Sequence, residues 1–270
     1  MSAMQSSPRR RISALTKRAW LQQRSTALWL ALIIGGISGV LAFVTAGGIN
    51  GVTELSDLIP SVAAGMVSVR DANGELQTIT SYMLLMMPVF LGVLVAMIAT
   101  LTLPGIVADD VSGGGIEVLL ASPIPRRSLF SAYLAAGLTL TAASWIVALV
   151  SFAVTATATA TILGVSVTLT VPFIAALIVL SLSMGVWSAV ATLFGALLYP
   201  GSQESKAGMN GGPIRLLALA PSLLTVPSVL FLAEWVLPAL GGVLLLTVLA
   251  TFLMIRLTAR GFRSTRVLSS

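Results

Sequence analysis

Two lysines, Lys17 and Lys206, and two neighbouring aspartates, Asp109 and Asp110, come nearest to a hydrolytic centre in this sequence. A Ser–Lys dyad needs a lysine at the membrane, and both lysines lie in polar segments. A two-aspartate site needs converging side chains, whereas adjacent residues of a regular helix point in different directions. The 270 residues include neither cysteine nor histidine. That excludes disulfides, thiolate and iron–sulfur sites, haem ligation through histidine, His-containing zinc sites, Cys–His pairs and Ser–His dyads. Catalysis is not expected of this chain, nor is a cofactor of its own.

Two other patterns carry a different chemistry, that of contact between surfaces. Residues 105–134 read GIVADDVSGGGIEVLLASPIPRRSLFSAYL. A glycine-rich turn leads into Ile116, Val118, Leu119 and Leu120 around a single Glu117, and prolines at 123 and 125 end the helix that Ile116 begins. A short apolar helix in a loop leaves a surface that a protein partner would cover. The competing reading is an interfacial helix resting on lipid headgroups. The second pattern is Ser181, Gly185, Ser188, Thr192 and Gly195, spaced by three or four residues along one apolar segment. Such a smooth, mildly polar helix face serves either close packing or the lining of a pathway.

The elements that position these residues follow from composition. The chain is 57% hydrophobic and 9% charged, with a mean hydropathy of +1.01. That is too little polar material to coat a water-soluble globule, so the solvent must be mostly lipid. The expected fold is an all-α membrane protein, a single transmembrane domain over 1–270 with six transmembrane helices at 27–46, 82–103, 129–155, 171–198, 214–233 and 237–255. Residues 1–25 carry cationic side chains among apolar residues at helical spacing, which predicts an amphipathic helix on the cytoplasmic surface. Val44-Thr45-Ala46 has the small-residue look of a signal cleavage site, but the preceding apolar run is too long for a signal segment. Gly35 and Gly39 in the first span have the spacing that lets two helices approach closely.

Residues 47–80 form the longest polar stretch and are expected outside, with a turn at Asp71-Ala72-Asn73-Gly74 and a short surface helix over 58–68. With the N-terminus inside, every basic residue except Arg70 falls on the cytoplasmic side, which places both termini in the cytoplasm and the protein in the cytoplasmic (inner) membrane. The net charge of +6 is thereby explained by topology and calls for no nucleic acid. No ionisable residue lies at the centre of any expected span, although proton-coupled carriers usually keep one there. Energy for uphill movement would then enter from the cytoplasm.

The loop between spans two and three resembles that of the permeases of type-2 ABC exporters, where an acidic residue precedes Gly-Thr-Leu-Glu, a leucine pair, a small residue and proline. Asp110 stands at the acid, Gly114 at the glycine, Glu117 at the glutamate, Leu119 and Leu120 at the leucine pair and Pro123 at the proline. The match covers about 15 residues, and the six-span layout agrees with the family along the chain. Gly115 replaces the usual threonine, and Tyr133 lies near where a lysine commonly begins the third span, so no individual ion pair with the ATPase is assigned. The resemblance implies that Ile116 to Leu120 form a cytoplasmic coupling helix. It further implies two copies of a cytoplasmic ABC ATPase carrying ATP and Mg, and a second permease copy or a sister permease. Competing classes are a stand-alone secondary transporter or channel and a non-transporting membrane scaffold. The transported substrate is not encoded in any residue pattern of this chain.

Overall fold

The computed structural model describes residues 8–46, 66–112, 126–198, 217–221 and 236–261. Within them the chain forms helices α1 (Pro8–Leu41), α2 (Thr78–Ser112), α3 (Arg126–Ile162), α4 (Val171–Leu198) and α5 (Val236–Gly261). Two strands, β1 (Val67–Arg70) and β2 (Ser166–Leu169), and a helical turn at 217–221 complete the described secondary structure. Four stretches are long and apolar enough to cross a membrane: Trp20–Leu41, Thr78–Gly105, Ser131–Ile162 and Val171–Gly195. The shortest-reaching of them, the 22 residues of α1, covers about 33 Å at ~1.5 Å per residue, enough for a hydrocarbon core of about 30 Å. The apolar part of α5, Leu244–Arg256, is shorter. The molecule is a mostly helical, membrane-embedded protein.

Several expectations change. The amphipathic segment and the first span are one uninterrupted helix, α1, not two elements. The junction Gln22-Gln23-Arg24-Ser25-Thr26 contains no proline or glycine to break it, so the backbone bonds continue into the apolar run. The same helix stops at Leu41, and 42–46 form turns. The third span continues past 155 to Ile162 through the Ala-Thr repeat, since no proline or glycine follows 155 before Gly164; the threonine hydroxyls are satisfied on their own helix, Thr155 by Ser151 O and Thr159 by Thr155 O at 2.8 Å each. The fold is not purely α, since β1 and β2 pair antiparallel. Val67 and Ser68 accordingly lie in a strand and not in the short surface helix expected over 58–68. The fifth expected span, 214–233, falls outside the described residues except for 217–221, and the sixth, 237–255, lies within α5, whose apolar part is shorter than a span, so four of the six expected spans are met by helices long and apolar enough to cross a membrane.

The bundle is organised as two tight pairs, α1 on α3 and α2 on α4, with α5 against α4. Of the four membrane-length stretches, that of α2 is the most enclosed and that of α1 the least. One buried cluster joins Ala27 and Ala31 of α1, Val95, Ala99 and Leu103 of α2, Tyr133 and Leu140 of α3 and Leu193 of α4. A second lies toward the strands and contains Phe43, Val67, Val69, Leu84, Leu91, Phe152 and Phe173.

The strands tie the ends of four helices together. α3 ends in a Schellman cap: Gly164 takes φ +66, its N–H donates to Thr161 O at 3.2 Å, and Val165 N donates to Ala160 O at 3.1 Å. The chain turns directly into β2, which runs in register with β1 from Val67 opposite Leu169 to Arg70 opposite Ser166. Thr170, at the start of α4, donates from Oγ1 to Met66 O at 2.9 Å. Ser81 of α2 accepts Val69 N at 2.9 Å, and Thr80 hydrogen-bonds Thr45 beyond α1 at 3.0 Å. The turn expected at 71–74 is present, with Asp71 Oδ1 accepting Asn73 N and Glu75 N and with Gly74 at φ +82.

Candidate functional site

The loop that carries the resemblance is anchored by α2 and α3. Asp110 lies in the last helical turn of α2, while Gly114, Ile116, Glu117, Leu119, Leu120 and Pro123 lie outside the described residues. The stems on either side are well packed. Leu103, two turns before Asp110, is fully buried, and Tyr133, seven residues into α3, is 3% exposed; both belong to the cluster shared by all four helices. At the same level Gly105 of α2 leaves room for Gln23 of α1, whose Nε2 would lie 2.8 Å from an added Cβ. Gly137 of α3 likewise receives Leu193 of α4, with Cδ1 at 2.6 Å from such a Cβ. A displacement of either stem must therefore be felt by the other three helices, because interiors at this density do not absorb movement locally.

The small and hydroxylated face of α4 is buried. Ser181 and Ser188 are fully enclosed, Thr192 is nearly so, and Gly185 is buried with them. Ser188 Oγ donates to Ala96 O of α2 at 2.9 Å. Trp145 Nε1 of α3 donates to Ser181 Oγ at 2.8 Å, and that hydroxyl donates in turn to Leu177 O. A Cβ on Gly185 would sit 2.7 Å from Val95 Cγ1 and 3.3 Å from Thr141 Cγ2, so α2, α3 and α4 meet at this glycine. Another face of the same part of α4 packs through Trp187, which donates from Nε1 to Leu217 O at 3.0 Å, and through Ala191 against Ala218, Ala250 and Met254.

Sequence reasoning missed the α3 side of this region. Thr141 and Ser144 are buried one turn apart on α3, and their hydroxyls, like that of Thr192, have no hydrogen-bond partner among the described residues. The signal was present, since Thr141, Ser144 and Trp145 recur at helical spacing inside an apolar run, but such a stripe does not reveal which helix it faces. Chemically this interior offers hydroxyl and indole hydrogen bonds without an acid, a base or a nucleophile activated by one. Among the described residues no group of three or more His, Cys, Asp or Glu side chains is placed to hold a metal ion.

Fold and interior together define a class, a polytopic helical membrane protein with a polar but uncharged centre. Comparison with protein-family models, with curated proteins and with solved structures gives no match to this chain.

Proposed function

We propose that this chain is the membrane-spanning permease subunit of an ATP-driven exporter of the type-2 ABC class. The observation that carries the reading is the order and spacing of Asp110, Gly114, Glu117, Leu119-Leu120 and Pro123 in the connection between α2 and α3. In support, the stems of that connection belong to a buried cluster that includes all four membrane-length helices, so a push on the loop has a route into the whole bundle. The absence of ionisable groups from the centres of the spans agrees with an energy source outside the membrane.

In this reading Ile116 to Leu120 form the coupling helix. Its apolar residues seat in a groove of a cytoplasmic ATPase, and Glu117 supplies a charge-assisted contact that fixes the register. ATP and Mg bind on two ATPase copies, and a second permease copy or a sister permease completes the pathway. Closure of the ATPase pair presses on the helix and tilts the spans as rigid bodies toward the outside. Both termini face the cytoplasm of a cell with this protein in its inner membrane, following the distribution of arginines and lysines.

The test is purification of the chain from its native membranes, with identification of the proteins that come with it. Recovery of the ATPase in equal stoichiometry is expected. Export activity by the chain alone, with no ATPase bound, would replace this reading with that of a stand-alone transporter.

A further inference from the structure

A lateral groove runs along α1 where its cationic and apolar parts meet. Trp20, Arg24, Leu28 and Leu32 recur every four residues and so form one ridge of the helix, and Val147 of α3 supplies the opposing wall. Ser25 and Trp29 complete the lining of a cavity of about 480 Å³ that opens to the side. Its chemistry is graded. One end holds the Arg24 guanidinium, the Ser25 hydroxyl and the Trp20 indole, while the other is lined by Leu28, Leu32 and Val147 with the Trp29 ring.

We infer that this groove binds one phospholipid with an anionic headgroup, its phosphate at Arg24 and one acyl chain along Leu28, Leu32 and Val147. The membrane-length stretch of α1 begins at Trp20, which puts Arg24 one turn inside the boundary, within reach of headgroup level through its long stem. Trp20, at the start of that stretch, favours the same level, since indole rings concentrate at the membrane–water boundary. From Arg24 to Leu32 the helix rises about 12 Å at ~1.5 Å per residue, close to the ~15 Å depth of hydrocarbon in one leaflet. The groove therefore matches a headgroup with most of one chain.

Charge selects the headgroup. α1 contains no acidic residue, Arg24 makes no ion pair among the described residues, and it is the one charged side chain lining the groove, so the charge there is positive, with Lys17 exposed nearby in sequence on the same helix. A zwitterionic headgroup brings an ammonium group into that field, whereas an anionic one does not. One basic group near the membrane surface corresponds to about fivefold in the preference for anionic lipid. The inference rests on membrane embedding alone and stands or falls independently of the exporter reading.

The full chain, reconstituted in phosphatidylcholine vesicles containing phosphatidylglycerol and then extracted in mild detergent, is tested by counting retained lipids by native mass spectrometry. The chain is expected to retain phosphatidylglycerol in preference to phosphatidylcholine. Arg24→Gln should lower that preference about fivefold with an unchanged melting temperature. Because the native chain lacks cysteine, Leu28→Cys labelled with a bulky maleimide after folding can fill the groove selectively and should remove the retained lipid. Equal retention of the two lipids by the unmodified chain would overturn the inference, as would unchanged retention in both variants. Cross-linking of two copies through the Leu28→Cys thiols in intact vesicles, with no lipid retained, would overturn it in favour of a protein occupant.

Discussion

The two tight helix pairs of this bundle are built by opposite means. Between α1 and α3 the backbones themselves touch. A Cβ at Gly35 would overlap the Ala148 carbonyl, one at Gly39 would lie 2.7 Å from Phe152 O and 2.8 Å from Ala156 N, and Ser151 Oγ donates to Leu32 O at 2.8 Å. Between α2 and α4 the contact runs through side chains, with Met184 folded over Gly92, Val95 against Gly185 and Ser188 bonded to Ala96 O. Close backbone approach locks position, because neither carbonyl nor Cα can yield. The side-chain seam adjoins hydroxyls on Thr141, Ser144 and Thr192 that have unused hydrogen-bonding capacity. If the loop after α2 drives a rearrangement, the second seam is where partners can be exchanged at low cost.

Substitutions can break or sharpen this contrast. The largest effect is expected at the backbone seam, where Gly39→Leu should destabilise the folded protein by about 3 kcal/mol or more, read by unfolding in mixed detergent micelles. A loss below about 1 kcal/mol would mean that α1 is free to move away from α3. Ser188→Ala removes a hydrogen bond between helices in lipid and should cost about 0.6 kcal/mol, at most ~1.7. Gly92→Ala meets the sulfur of a pliable methionine and touches backbone only at Ser181 Cα, 3.3 Å away, so its cost should stay under about 1 kcal/mol, and a Gly39-like loss there would erase the distinction between the seams. Thr192→Val keeps the shape while deleting a hydroxyl that has no partner among the described residues. Its stability should be unchanged or higher by up to ~1 kcal/mol, whereas a clear loss would reveal a partner for that hydroxyl.

Much of this architecture was legible in the residues, and the reasons for the misses are specific. The fourth span coincides with α4 at Val171–Leu198, because Thr170 and Pro172 mark a helix start and Pro200-Gly201 a stop. The Gly35 and Gly39 spacing pointed to close approach, and the structure supplies the partner, α3, which spacing alone does not name. The break expected between the amphipathic segment and the first span is absent because a change in polarity does not interrupt backbone hydrogen bonding without a proline or glycine. The β1–β2 pairing was not anticipated. Val67–Arg70 and Ser166–Leu169 each have strand-like alternation, but they are about a hundred residues apart, and two four-residue runs do not announce each other. At the candidate site the α4 face was visible in its spacing, whereas Trp145 and the α3 hydroxyls that meet it depend on how two helices are rotated. The loop motif is the reverse case, read from residue order alone, with only its stems in the described structure.

In the proposed exporter, residues 114–123 pass force from an ATPase into the bundle. The most direct measurement is ATP hydrolysis by the reconstituted complex of this chain with its ATPase, comparing the unmodified chain with Leu119→Asp. The substituted chain is expected to insert normally and to lose permease-stimulated hydrolysis. Full stimulation together with full export in the Leu119→Asp complex would contradict the account.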